Sequence, residues 1–214
     1  MAIVQNPITG RSKKAFGTAV FSKQFGQNTM RTKPLEVKNP KTLKQRMQRS
    51  KFSLMVALSR MTLKFVRVGF KQIAIEMSAF NAFMKNNIGV AISGVYPAYT
   101  INYANLTFAK GTLTGAETPT ATAAAGKIIN VDWVDNSGEG DAEATDTALI
   151  LLINSTKKKV QADTTTKTRL DETISKLVPA GWVGDQVHVY ISFKSATVNK
   201  VADSTYVSAV TVLA

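Results

Sequence analysis

The spacing of apolar residues changes character near residue 90. Before it, from Asn39 to Asn87, apolar positions return every three or four residues. Leu43, Met47, Leu54, Leu58, Met61 and Phe65 form one stripe, interrupted only by Ser50. That period predicts an amphipathic helix with one face against a core. Asn39 and Pro40 supply a cap and a first helical residue. Gly69 is expected to bend or end the helix, since an interior glycine costs about 1 kcal/mol. A second helix is expected from Ser78, burying Phe80, Phe83 and Met84 and closed by Asn86, Asn87 and Gly89. With Phe65 and Phe70, these rings make an aromatic core larger than either helix hides alone.

After Gly94 the period shortens to two. Lys127–Val134 alternates, with Ile129, Val131 and Trp133 on one face and Trp133 as the expected central core aromatic. Ala148–Ile153 is a short continuous apolar strand, Thr166–Ile174 reads as a further strand, Asp185–Phe193 alternates cleanly, and Thr205–Leu213 closes the series. The stretch ETPTATAAAGK is a Thr/Ala-rich connector or an edge segment, and Val178–Gly181 is a turn. Six or seven short strands with turns about every ten residues predict a β-sandwich of immunoglobulin or fibronectin type. Clean alternation argues against a parallel α/β sheet, whose buried strands read apolar throughout. The expected fold class is therefore α+β: a basic N-terminal hairpin arm and a helical segment, then an antiparallel sandwich. The expected division is 1–93, arm plus two-helix module, and 94–214, sandwich.

Within residues 10–38, Thr18–Phe21 and Thr29–Thr32 are β-prone and Phe25-Gly26-Gln27-Asn28 reads as the turn between them. Two readings of this arm stand: a solvated terminus, or a segment that orders on a polyanion or a neighbouring subunit. A hairpin with no third strand is marginal alone.

Charge sharpens this division. Residues 1–93 carry 17 Lys or Arg against Glu36 and Glu76, a balance of +15, while residues 94–214 carry 10 against 12 acids, a balance of −2. Such asymmetry points the first part toward something anionic: nucleic acid, a phospholipid surface or an acidic protein. The candidate contacts are Arg11, Lys13, Lys14, Lys23 and Arg31 on the arm and Lys44, Arg46 and Arg49 at the start of the long helix. Arg60, Lys64, Arg67 and Lys71 repeat the helical spacing farther along. Positive charge at a helix start opposes the macrodipole, a conflict that an anionic partner or plain solvation offsets.

The chemistry-bearing residues point away from catalysis. The chain has no cysteine and one histidine, so disulfides and thiolate metal sites are excluded and the redox compartment stays open. It shows no Gly-x-Ser-x-Gly elbow, P-loop, dinucleotide glycine motif or His-Glu-x-x-His. Asp135, Glu139, Asp141 and Glu143 do not have EF-hand spacing and read as exposed loop acids. Lys157–Lys159 reads as a solvated turn, and His188 as a surface or satisfied histidine. No cofactor, metal or enzymatic activity is expected. The N-terminus lacks the apolar run of a secretory signal, and no stretch has the length of a membrane span. Synthesis in the cytoplasm, with incorporation into a virion or other large assembly, is the expectation.

The segments GRSKKAFGTAVFSKQFGQNTMRTKP, NPKTLKQRMQRSKFS, RVGFK and MSAFNAFMKNNI resemble a family of proteins from Bacteroidota that is known as a domain of unknown function. The later segments VDWVDNS, LVPAGWVGDQVHVYISF and STYVSAVTVL carry the same resemblance across nearly the whole chain. It implies no activity. Asn39, Pro40, Thr42, Gln45 and Arg49 in NPKTLKQRMQR also resemble short helical modules of phage and prophage proteins, although those modules often carry tryptophans where this chain has phenylalanines.

Three functional readings follow. The first is a structural or assembly protein, phage- or mobile-element-like, with protein neighbours or copies of itself and a basic region that touches a polyanion without reading it. The second is a dedicated DNA-binding protein that reads a groove with Gln45, Arg46, Gln48 and Arg49. The third is a peripheral membrane module built on the basic amphipathic stretch.

Overall fold

The structure, a computed structural model, describes residues 2–3, 14–24, 26–36 and 39–214. It divides into two compact units, Met1–Leu43 and Lys44–Ala214.

The first unit is a small antiparallel sheet. Strands β3 (Ala19–Gln24) and β4 (Gln27–Thr32) form the expected hairpin. Their register pairs Gln24 with Gln27, so Gln27 and Asn28, expected in the turn, belong to β4. Gly26 adopts φ +87°, a conformation open to glycine at no steric cost. The hairpin is flanked on both sides, by β2 (Lys14–Phe16) against β3 and β1 (Ala2–Ile3) against β4. Four strands meet the requirement that a lone hairpin fails. Between the two central strands, the hydroxyls of Ser22 and Thr29 lie 2.7 Å apart.

The second unit begins with helix α1, Leu43–Gly69. Its first residue lies three beyond the expected Pro40, and Lys41 at φ +48° keeps the preceding backbone out of the helical region. The buried face is Met55, Leu58, Ser59, Thr62, Phe65, Val66 and Gly69. The expected stripe is therefore displaced: Leu43 is exposed and Met47, Ser50, Leu54 and Met61 are only half-buried. Gly69 does end the helix, for a packing reason. A Cβ there would meet the carbonyl oxygen of Phe108 and lie 2.8 Å from Ala109. The close approach lets the Lys110 amide donate to the Gly69 carbonyl at 2.9 Å, satisfying one of the helix's orphan acceptors. Helix α2, Ala79–Asn87, starts as expected, with the Ser78 hydroxyl accepting from the Asn81 amide.

Seven strands make the sandwich. One sheet has the order β10 (Lys159–Asp163), β9 (Thr147–Asn154), β12 (Gln186–Lys194), β13 (Thr205–Thr211); the other has β11 (Thr173–Leu177), β8 (Ile128–Val134), β7 (Glu117–Ala124). All pairings within them are antiparallel. This is an immunoglobulin/fibronectin-like arrangement, as the alternation predicted. The Thr/Ala-rich stretch is edge strand β7. A two-stranded hairpin, β5 (Ile92–Ser93) and β6 (Thr100–Ile101), precedes it.

In the sheet that holds them, the central strands β9 and β12 are buried on both faces. Ala148, Ile150 and Leu152 of β9 join Ile129, Val131, Trp133, Val189 and Ile191 between the sheets. Leu149, Leu151 and Ile153 join Tyr190 and the helical residues Met55, Leu58, Phe65, Phe70 and Phe83 on the other side. The expected division at 93/94 is thus not where the compact units part. Apolar helix faces need an apolar surface to cover, and the outer face of β9 and β12 provides it. The aromatic core runs across that line: Phe70 meets Phe83 edge-on at 5.9 Å, Phe83 stacks on Phe108 at 5.5 Å, and Phe108 meets Tyr190 at 4.8 Å. Phe80 is only half-buried.

One expected strand is absent. Within Thr166–Ile174, only Thr173 and Ile174 belong to a strand, Thr168 makes an isolated antiparallel bridge with Thr147, and Arg169–Asp171 form a 3₁₀ turn. The Asp171 carboxylate accepts from both the amide and the hydroxyl of Thr168. That capping turn directs Arg169 inward.

Candidate anion-binding face

Helix α1 contains no Asp or Glu along its 27 residues. At about 100° per residue, Arg46, Arg49, Arg60, Lys64 and Arg67 fall within an arc of about 60°. That arc lies opposite the buried face, and all five residues are exposed. Main-chain rise places Arg46 and Arg67 about 31 Å apart along the axis. Ser53, Val56 and Ala57 interrupt the arc between Arg49 and Arg60. Beside that interruption, Gln48, Arg49, Phe52, Ser53 and Val56 line a shallow surface hollow of about 390 Å³. Lys71 follows just past the helix end and is exposed.

Lys44, also an expected contact, does not join this stripe. It is exposed but lies on the arc of the buried face, about three helical turns ahead of Met55, the first buried residue. Lys51 is half-buried with its ammonium 5.0 Å from the centre of the Tyr99 ring. On the small sheet, Lys23 pairs with Asn28 and Arg31 with Val20, which puts Lys23 and Arg31 on opposite faces. Lys14 lies in β2, and Arg11 and Lys13 fall outside the described residues. Gln45, Arg46, Gln48 and Arg49 spread over about 160° of arc instead of sharing one reading face, and Gln45 and Arg49 are already engaged within the chain.

The acids of the second half have internal partners. The Lys200 ammonium donates to Asp141 at 2.8 Å and the Thr114 amide to the same carboxylate, holding it at about 2. Asp146, which ends the same acidic loop, is fully buried. Arg169, also fully buried, donates from Nη2 to Asp146 Oδ2 at 3.1 Å and to the Thr114 carbonyl at 2.9 Å, and from Nη1 to the Gly115 carbonyl and Asn136 Oδ1. Its guanidinium sits 3.9 Å over the Phe193 ring, and the Trp133 indole donates to its carbonyl. This pair fixes the loop 135–146 to the sandwich. The sequence held one signal for it: Arg169 is the single arginine in residues 94–214, among nine lysines. Arginine is the cation suited to a buried, multiply bonded site.

His188 is half-buried, stacked on Tyr103 at 4.0 Å between ring centres, with Nδ1 3.2 Å from the Tyr206 hydroxyl. Burial lowers its pKa and raises those of Tyr103 and Tyr206. Among the described residues no three candidate ligands gather where a metal could bind, and no helix is long and apolar enough to cross a membrane.

No curated protein matches the chain. Among solved structures, the fibronectin type III domain of the human collagen alpha-1(XX) chain is similar over 49% of this chain and 90% of that one, with 8% identity and a TM-score of 0.37. So distant a likeness carries no argument about ligands. The model of a family of unknown function, DUF6266, matches residues 10–208, in keeping with the resemblance that the short motifs carry. The chain belongs to that family.

Proposed function

We propose that this protein is a non-enzymatic structural or assembly component of a phage, prophage or mobile element. In this reading the basic face of α1 holds a polyanion or a neighbouring subunit. The observation that supports it is the exposed arc of Arg46, Arg49, Arg60, Lys64 and Arg67 on a helix without acids. Arg60 and Lys64 are four residues apart and Lys64 and Arg67 three apart, so each is a like-charge neighbour costing about 0.2–0.5 kcal/mol. Among the described residues no ion pair joins these three. An anionic partner relieves the repulsion, and the helix holds the charges in line for it. The placement in a mobile element rests on the NPKTLKQRMQR resemblance.

The test uses the full chain, because the helices share a core with the sandwich. Light scattering at low and physiological salt would follow the protein alone and with duplex DNA or polyglutamate. The expected result is salt-sensitive association, with one of these polymers or between copies, that is lost in R46E/R60E/K64E/R67E. Absence of any association at low salt, or equal association by the variant, overturns the proposal.

A further inference from the structure

We infer that the Arg60–Lys64–Arg67 part of the stripe seats nucleic-acid phosphates without regard to base sequence; this deepens, and rests on, the reading that the basic face of α1 holds an anion. The two halves of the stripe differ in their surroundings. Arg49 lines one hollow with Phe52, 47% exposed, and the half-buried Val56, and Arg46 lies about one turn before it. Arg60, Lys64 and Arg67 stand on successive turns spanning about 10 Å of axis, and the apolar residues beside them, Met61, Leu63, Phe65 and Val68, are half-buried or buried. Lys64 also lines a hollow of about 370 Å³ with Met61, Phe65, Leu151 and Val160, but each of these is half-buried or buried, so this end carries charge and lacks an exposed large apolar side chain like Phe52.

That composition discriminates between partners. Protein interfaces deplete charge at their centre and anchor on aromatic or aliphatic side chains in desolvated pockets. An acidic protein seated here would have to desolvate three adjacent cations with no apolar burial to offset the cost. A phosphate backbone leaves the cationic heads partly hydrated, and its driving force is release of condensed counterions. Two of the three cations are arginines, whose forked donors match phosphate oxygens. From Ala57 to Lys71 there is no Asn or Gln at all, so the segment lacks the amides that pair with adenine edges. Arginine forks fit guanine edges as well as phosphate oxygens, so equal binding of unrelated duplexes is what marks backbone positioning.

The experiment is fluorescence anisotropy of the full chain with two unrelated duplexes of equal length and with labelled polyglutamate, across a salt series. R60Q/K64Q/R67Q is compared with K157Q/K158Q/K159Q, which removes the same charge from an exposed turn elsewhere. The expected result is equal affinity for both duplexes, with the salt slope reduced by about 0.9 per phosphate contact, or about 2.7 for the triple variant, and unchanged in the control. Circular dichroism checks that the variant is folded; if it is not, R60Q and R67Q singly each take about 0.9 from the slope. An unchanged slope, an equal loss in the control, or strong preference for one duplex overturns the inference. Binding to polyglutamate with none to duplex also overturns it, while leaving the basic face as the contact. No binding to any polymer and no self-association removes both.

Discussion

Replacing Arg169 by Met tests whether the buried ion pair holds one end of the sandwich together. Both partners have fully buried side chains, and Asp146 Oδ2 accepts from Arg169 and from the Glu143 amide. Methionine fills much of the arginine's volume but leaves the Asp146 carboxylate without its counter-charge. It also strips a donor from the Thr114 and Gly115 carbonyls. Breaking a buried pair from one side costs about 3–5 kcal/mol. For a unit of this size that becomes a fall in Tm of roughly 6–20 °C, at about 2–4 °C per kcal/mol. Urea unfolding by circular dichroism gives the free energy. Trp133 fluorescence reports the same place directly, because its indole donates to the Arg169 carbonyl at 2.8 Å. The double variant R169M/D146N separates charge from packing: with no stranded carboxylate, it should lose less than the two single variants added together. A loss below about 1 kcal/mol in R169M, or strict additivity in the double, would refute the reasoning.

Three further outcomes are expected. Gly69→Ala should destabilise by about 1–3 kcal/mol in urea despite alanine's better helix propensity, because its Cβ meets backbone at Phe108 and Ala109; a stabilised variant would show that this crossing yields. Asn87→Ala should cost about 1–3 kcal/mol, since the fully buried amide donates to the Phe83 and Thr107 carbonyls and accepts from the Thr107 amide; hydrogen exchange should then show the Thr107 amide less protected. Burial alone would raise the pKa of Asp163, but bonds from the Lys176 ammonium and from Thr166 and Thr165 outweigh it and hold the group at about 2, below its ordinary 3.8. Its contribution to stability is therefore complete above pH 3.8 and is lost as pH falls toward 2. The urea midpoint should drop across that window, and less steeply in Asp163→Asn.

The period of the apolar pattern told, without coordinates, where helices and strands lie. A helix packed on one side repeats every three to four residues and a strand every two, so β8, β12, α2 and the second half of α1 were legible. The Ser78 cap and the helix-ending role of Gly69 were legible for similar local reasons. The candidate stripe was legible too, because Arg60, Lys64, Arg67 and Lys71 repeat the helical spacing. Pattern alone does not say which apolar surface meets which. The helices and the sandwich read as separate modules, and only the tertiary structure put Leu149, Leu151 and Tyr190 against Phe65 and Phe83. The continuous apolar run of β9 was the trace of that contact, a strand covered on both faces. Arg169 and Asp146 stayed hidden for a stronger reason. A buried charge is tolerated only through its partners, and these come from residues 114, 115, 136 and 146, brought together by the fold and by nothing in the local sequence. Tertiary structure likewise decided which cations belong to the stripe, since exposure and arc depend on the face that the core had already claimed.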